Sequence, residues 1–452
     1  MPQHRRRKKL LLISAMTLLV VFAAFCIWRD WRVRSIPDVG EPFDVEAFYA
    51  EYDPNAENAF DHYQKWIATY RTLSESNWYA NVNYDIATDS WSNASEPTME
   101  YVKKMRPLLE PWRLGSEVEQ GYEIDPRDIV FESLLSTTQD YREYVRIQLL
   151  ETSRLMHEGH HTAVFDGYQQ LLRTNAHIRN GCLISQLVGF ATYKLWYAQL
   201  ELFLARDDIP VEELKTFLED LRRLHEGLPK PRVALHFEYL SIRRSLQPMI
   251  DTHGWRNDLT RESEVFERVL NLFYAHWLKY YEVPPWEAPP LVTHSCATSQ
   301  LSQWLASSRP DCTRRYFDDG AESEALVTAY HQLSYTQKYL NEFIPAMHLQ
   351  PGYERTHEDR LFQQMAELQL SMHIYYREHG HFPETLETLV PEYIDELPRT
   401  PDVDGKVLTY EQDKNGIEMK TSDGKHSFYI YAPGTKFEEM TESEPEGSIL
   451  ID

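Results

Sequence analysis

A chain of 452 residues is long enough to build ordinary hydrophobic cores, and its four cysteines exclude a disulfide-built scaffold. Seventy acidic residues against 46 basic ones give a formal net charge of −24. A surface that negative repels phosphate backbones, so no nucleic-acid partner is expected.

The chain opens on Arg5, Arg6, Arg7, Lys8 and Lys9, then runs without charge from Leu10 to Trp28. At about 1.5 Å per residue that run spans roughly 28 Å, close to the hydrocarbon thickness of a bilayer. Phe25, Cys26, Ile27 and Trp28 end the run and Arg29, Asp30, Trp31 and Arg32 follow, bulky and charged residues where a secretory signal would have small ones. The expectation is an uncleaved, single-pass anchor from Leu10 to Trp28. Five basic residues precede it and Arg29, Arg32 and Arg34 follow, which points to a cytoplasmic N-terminus and an extracytoplasmic bulk. Residues 1–34 carry +7, which leaves −31 for the remainder.

Residues 35–58 form an entry segment rich in Pro, Asp and Glu, followed by a helical pattern from about Glu57 to Leu73. From about Asp128 to Ile250 the chain reads as successive antiparallel helices. Tyr141, Val145, Leu149, Thr152 and Leu155 make one apolar face, and Val164, Tyr168, Leu171, Leu172 and Ile178 another. A third helix, about Leu183 to Leu204, is apolar on several faces and is expected at the centre. Asp208 is positioned to cap a fourth, with Pro210 in its first turn. Paired helices joined by Gly-containing turns resemble a tetratricopeptide-like array. Further helices are expected over about Thr260–Tyr281, from near Ala321 to Pro345, and over about Thr356–His379.

After Gly380 the texture changes. Asp404-Gly405, Asn415-Gly416 and Asp423-Gly424 are hairpin-turn signals between short alternating stretches, which predicts an antiparallel meander. The run Tyr376-Arg377-Glu378-His379-Gly380-His381-Phe382-Pro383, with Leu386, Leu389-Val390-Pro391 and Leu397-Pro398, resembles the major pseudopilins of type II secretion over about residues 355–432. That resemblance implies a long helix ending in a Gly-x-aromatic-Pro corner before a β-meander. It also implies calcium in the C-terminal loops, with Asp402, Asp404 and Asp413 as oxygen ligands; solvated turn residues are the alternative. The N-terminus has Lys8-Lys9-Leu10-Leu11 where a pseudopilin has its processing site, so the segment reads as a borrowed folding unit. The remainder resembles membrane-anchored helical proteins of bacterial envelopes.

The expected fold is mainly α: a transmembrane helix, an antiparallel helical-hairpin ectodomain and a small C-terminal α+β module. Its divisions are 1–34 (basic tail and anchor), 35–127 (entry segment and first helices), 128–345 (repeat-like domain), 346–433 (pseudopilin-like module) and 434–452 (acidic disordered tail).

One constellation matches a catalytic pattern. His157-Glu158-Gly159-His160-His161 fits the zincin motif, in which His157 and His161 would bind zinc and Glu158 would act as base. That chemistry needs one continuous helix, and Gly159 costs about 1 kcal/mol in a helix interior. The apolar stripe before it ends there and a new one begins after Thr162, so an interhelical turn is the favoured reading. Cys296 and Cys312 are spaced to pair around a short loop in an oxidising compartment; separate thiols are the alternative. No cofactor is expected. The function expected is protein–protein interaction or scaffolding at the outer face of the membrane, with a zinc hydrolase or an envelope ligand- or glycan-binding module as alternatives.

Overall fold

The apolar N-terminal run lies within one continuous helix, α1 (Pro2–Arg34), in the computed structural model. The structure describes residues 2–74, 81–131, 133, 135–251, 259–284, 286–288, 291–295, 313–317, 349–399, 405–412, 415–422 and 424–435. Within α1, Leu10, Leu18 and Ile27 are exposed, and among the described residues nothing covers the apolar stretch. The helix is long and apolar enough to cross a membrane. Its last turn behaves differently. Arg32, Val33 and, just beyond, Ile36 are each about 1% exposed, built into the folded part of the chain.

Short helices α2 (Val45–Ala50), α3 (Ala59–Ser74), α4 (Glu96–Met105) and α5 (Glu110–Ser116) follow. The helical series comes next: α6 (Ser136–His157), α7 (His161–Arg179), α8 (Leu183–Leu204), α9 (Val211–Glu226), α10 (Arg232–Asp251) and α11 (Glu262–Tyr281). A backbone pair, β1 (Leu291–Ser295) and β2 (Thr313–Phe317), runs antiparallel. The long α12 (Leu349–His379) leads to β3 (Thr409–Gln412), β4 (Gly416–Lys420) and β5 (Ser427–Tyr431). These three form an antiparallel meander in the order β3-β4-β5, with Ile417 opposite Ile430 and Met419 opposite Phe428. The protein is therefore mainly helical with a small C-terminal sheet. Cys296, Cys312, Asp402, Asp404, Asp413, the helix expected from Ala321 to Pro345 and the tail beyond Thr435 lie outside the described residues.

Among the described residues two large cores hold these elements, with a small third cluster of Ala205, Tyr429 and Tyr431. The first joins α3–α9 to the inner face of α12 and to the sheet. Leu361, Phe362, Met365, Phe382, Leu386 and Phe428 belong to it, so residues within 355–432 complete the same core as the helices before them. The second gathers the end of α1, α2, α10, α11 and the start of α12. α6 packs on α7 and α8, and α7 on α8 and α9, but α12 fills the seam beside α8 and α9. Polar side chains set that docking: Arg179 to Asp359 at 2.8 Å, Lys194 to Glu358 at 2.6 Å and Gln369 to Glu201 at 3.0 Å.

α8 is central, as its all-round apolar composition predicts. Its buried Gln199 amide donates to the carbonyls of Ala87, in a 3₁₀ segment before α4, and Leu149 of α6, tying both to α8. Cys182, in the N-cap position of α8, makes no side-chain cap. Glu238 of α10 supplies it instead, accepting the Leu183 N–H at 2.9 Å. Burial raises the Glu238 carboxyl to about 7, so it stays largely protonated below that pH. In the unfolded chain the group ionises near pH 4.5. Its cost to stability is therefore absent below about pH 4.5, grows between there and pH 7, and is constant above. Glu238→Gln keeps an acceptor for Leu183. In urea unfolding it is expected to match the parent near pH 4.5 and to be more stable by up to roughly 3 kcal/mol at pH 8.

One local expectation needs correction. Asp208 does not cap α9; Pro210 occupies that position, and Asp208 accepts from Arg206 Nε at 2.8 Å and faces His161 at 3.3 Å.

Candidate functional site

The zincin-like segment is a turn. α6 stops at His157 and α7 starts at His161, with Gly159 between them at φ +75. A left-handed residue at that position ends the first helix, so His157 and His161 do not share one helical face. The zinc geometry considered for His157, Glu158 and His161 is thereby replaced by three separate roles. His157 is exposed, Glu158 pairs with Arg154, and His161 faces Asp208. The Arg154 guanidinium holds the Glu158 carboxyl below its ordinary range, the reverse of what a general base near neutrality requires. Among the described residues, no group of three His, Cys, Asp or Glu side chains is placed to share a metal ion.

A groove of about 970 Å³ opens beside α7. One wall is the loop after α2 and the stretch from the end of α5 to Gly121. The other is the C-terminal end of α7 and the turn after α9. His177, at the end of α7, forms part of its lining and is 9% exposed. Its Nδ1 lies 2.7 Å from the Tyr63 hydroxyl, and the Val118 backbone also hydrogen-bonds to the ring. Burial pushes the imidazole down to about 4, so it is neutral at physiological pH. Gly121 lies directly on this ring; a Cβ there would fall 2.4 Å from His177 Cγ. Glycine is what lets this stretch approach closely enough to form the wall.

The charges of the groove are unevenly satisfied. Glu57 pairs with His62 at 2.8 Å and Glu117 with Arg113 at 2.6 Å. Among the described residues, Glu51 and Glu119 have no cationic partner, and Arg173 reaches only the neutral Gln169 at 3.2 Å. Free carboxylates on one wall and a free guanidinium on the other can take an extended segment that carries charges of both signs, predominantly basic.

The junction of α1 with the folded part is the other functional feature. Arg32 pairs with Glu262 of α11 at 2.7 Å, both nearly inaccessible, while Arg261 reaches Asp30 at 3.4 Å. Arg268 donates to the Ile36 carbonyl at 3.2 Å and pairs with Asp38 at 3.1 Å. Trp28 and Trp31 remain exposed beside this junction, where a membrane interface would receive them. The charge pattern of residues 29–34 hinted at an end to the span. Its partners on α11 had no signal in the sequence.

No known protein-family model, curated protein or solved structure matches this chain.

Proposed function

We propose that this chain is a retained single-pass membrane protein, N-terminus in the cytoplasm, whose folded part binds a partner protein on the far side. The observation that carries the reading is the burial of Arg32, Val33 and Ile36. A helix removed after insertion would not supply core residues, and its loss would take the Arg32 guanidinium from the buried Glu262 carboxylate. The orientation rests on the distribution of Lys and Arg, five before the span and Arg29, Arg32 and Arg34 after it. The helices after α1 then work as a tetratricopeptide-like platform, with the groove between the α2–α3 loop and α7 receiving a basic segment of the partner.

The test is the mature protein itself. Full-length chain expressed in a bacterial host is expected to resist alkaline extraction from membranes and to keep residues 1–34 by intact mass. Protease added from the extracytoplasmic side is expected to reach the folded part. Loss of the first 34 residues from the mature chain would refute the reading. For the partner, charge reversal by Glu51→Lys with Glu119→Lys is expected to abolish in-cell cross-linking that the parent gives; undiminished cross-links would move the interaction elsewhere.

A further inference from the structure

α12 presents His357, Arg360, Leu361 and Gln364 at spacings of three and four, on one face. Facing them are Trp286, in the turn after α11, and Arg399, ahead of the sheet; together they line a cleft of about 250 Å³. The Arg399 guanidinium lies 6.0 Å from the Trp286 ring centroid. Gly405 packs against the same ring, where a Cβ would come 2.8 Å from Trp286 Cγ. The indole is thus fixed by contacts from two segments.

Three polar features of the cleft are left unanswered among the described residues. Among the described residues, neither Arg360 nor Arg399 has a carboxylate ion partner. In a chain with 70 acids to 46 bases that is a departure; on the same helix, Arg355 finds Glu358, and Asp359 is taken by Arg179. Glu287 and Glu396 also line the cleft, exposed and without a cation among the described residues. His357 is only 9% exposed, and its Nε2 has no hydrogen-bond partner. Burial, then the nearby Arg360, pushes this imidazole down to about 4, so it is neutral at physiological pH. A buried polar atom left unpaired is costly in a finished fold and is relieved when a ligand reaches it.

We propose that this cleft binds a zwitterionic ligand of the amino-acid class. Its carboxylate lies against Arg360 and Arg399, its ammonium against Glu287 and Glu396, and its apolar part on Trp286 and Leu361. Two guanidiniums alone would suit phosphate equally well; the two carboxylates select an ammonium and repel a dianion. The volume is below that of drug-sized pockets and suits one residue-sized molecule. This site is separate from the groove, and neither reading depends on the other.

Isothermal titration calorimetry of the full chain in detergent micelles tests it, with L-phenylalanine, phenylacetate, phenethylamine and inorganic phosphate as probes. L-phenylalanine is expected to bind saturably, and each other probe at least about tenfold more weakly. Arg360→Ala and Arg399→Ala, both at exposed positions, are each expected to weaken phenylalanine binding at least about tenfold with thermal unfolding unchanged. Absence of saturable heat with phenylalanine, or equal affinity in both variants, overturns the proposal. Phenylacetate, phenethylamine or phosphate binding as tightly as phenylalanine overturns it as well.

Discussion

Arg32→Met is expected to destabilise the folded part by roughly 3–5 kcal/mol, because it takes the Arg32 guanidinium away from the buried Glu262 carboxylate. The double variant Arg32→Met with Glu262→Met removes both charges and is expected to recover most of that loss. Chemical denaturation of the full chain in micelles, followed by tryptophan fluorescence, separates the two results. The single variant should also loosen the coupling between the membrane helix and α11. Hydrogen exchange is therefore expected to rise first in the early turns of α11, beside Arg261 and Glu262. If single and double variants unfold alike, the pair does not join helix to domain, and the argument for a retained anchor loses its physical basis.

Trp112→Ala is expected to cost a similar amount, about 3–5 kcal/mol, through the cavity it leaves. Trp112 is fully buried, stacked on Tyr63 at 4.1 Å and on Tyr144 at 4.2 Å between ring centroids, with Trp66 edge-on at 5.6 Å. This aromatic stack ties α3 and α5 to α6. Tyr63 then carries the coupling to the groove, through its hydroxyl on His177. Urea unfolding is expected to show the lost stability, and Trp112→Phe to restore about half of it by refilling most of the volume. Loss of the stack should also lower whatever affinity the groove has for its partner, since its lining depends on Tyr63 and His177. A Trp112→Ala protein that unfolds at parental urea concentration would place the core elsewhere.

Local chemistry made much of the architecture legible. The helix ends at His157 and Leu204, the start at Leu183 and the stop before Gly380 all follow from apolar periodicity and the glycine positions. The three strands fall close to the stretches between the hairpin signals. The first helices expected within 35–127 were not placed residue by residue, and α4, the 3₁₀ turn after it and α5 carry Pro97, Pro107 and Pro111. In the structure each sits in the first turn of a helix or 3₁₀ segment, where a missing N–H costs nothing. α12 likewise begins seven residues earlier than Thr356, at Leu349.

The sites were less legible than the elements. His157–His161 stood out because metal motifs are local patterns, yet the same residues form a turn once Gly159 adopts a positive φ. Glu51, Glu119 and Arg173 had no distinguishing signal; on an acid-rich chain an unpaired glutamate looks like a paired one. The same holds for Arg360 and Arg399. Only their surroundings separate them from Arg355, which meets a carboxylate one turn away.

By itself, the sequence determined a span of membrane length, the helical class of the domain, the central place of α8 and the C-terminal meander. Each of these is set by hydrophobic period or turn chemistry within a few residues. Only the tertiary structure decided that Arg32 meets Glu262, that Asp30 meets Arg261 across 231 residues, that α12 closes the seam beside α8 and α9, and which charges stay unpaired. Those outcomes depend on the path of the chain between distant segments. Charged side chains carry no local mark of the partner that folding will bring them.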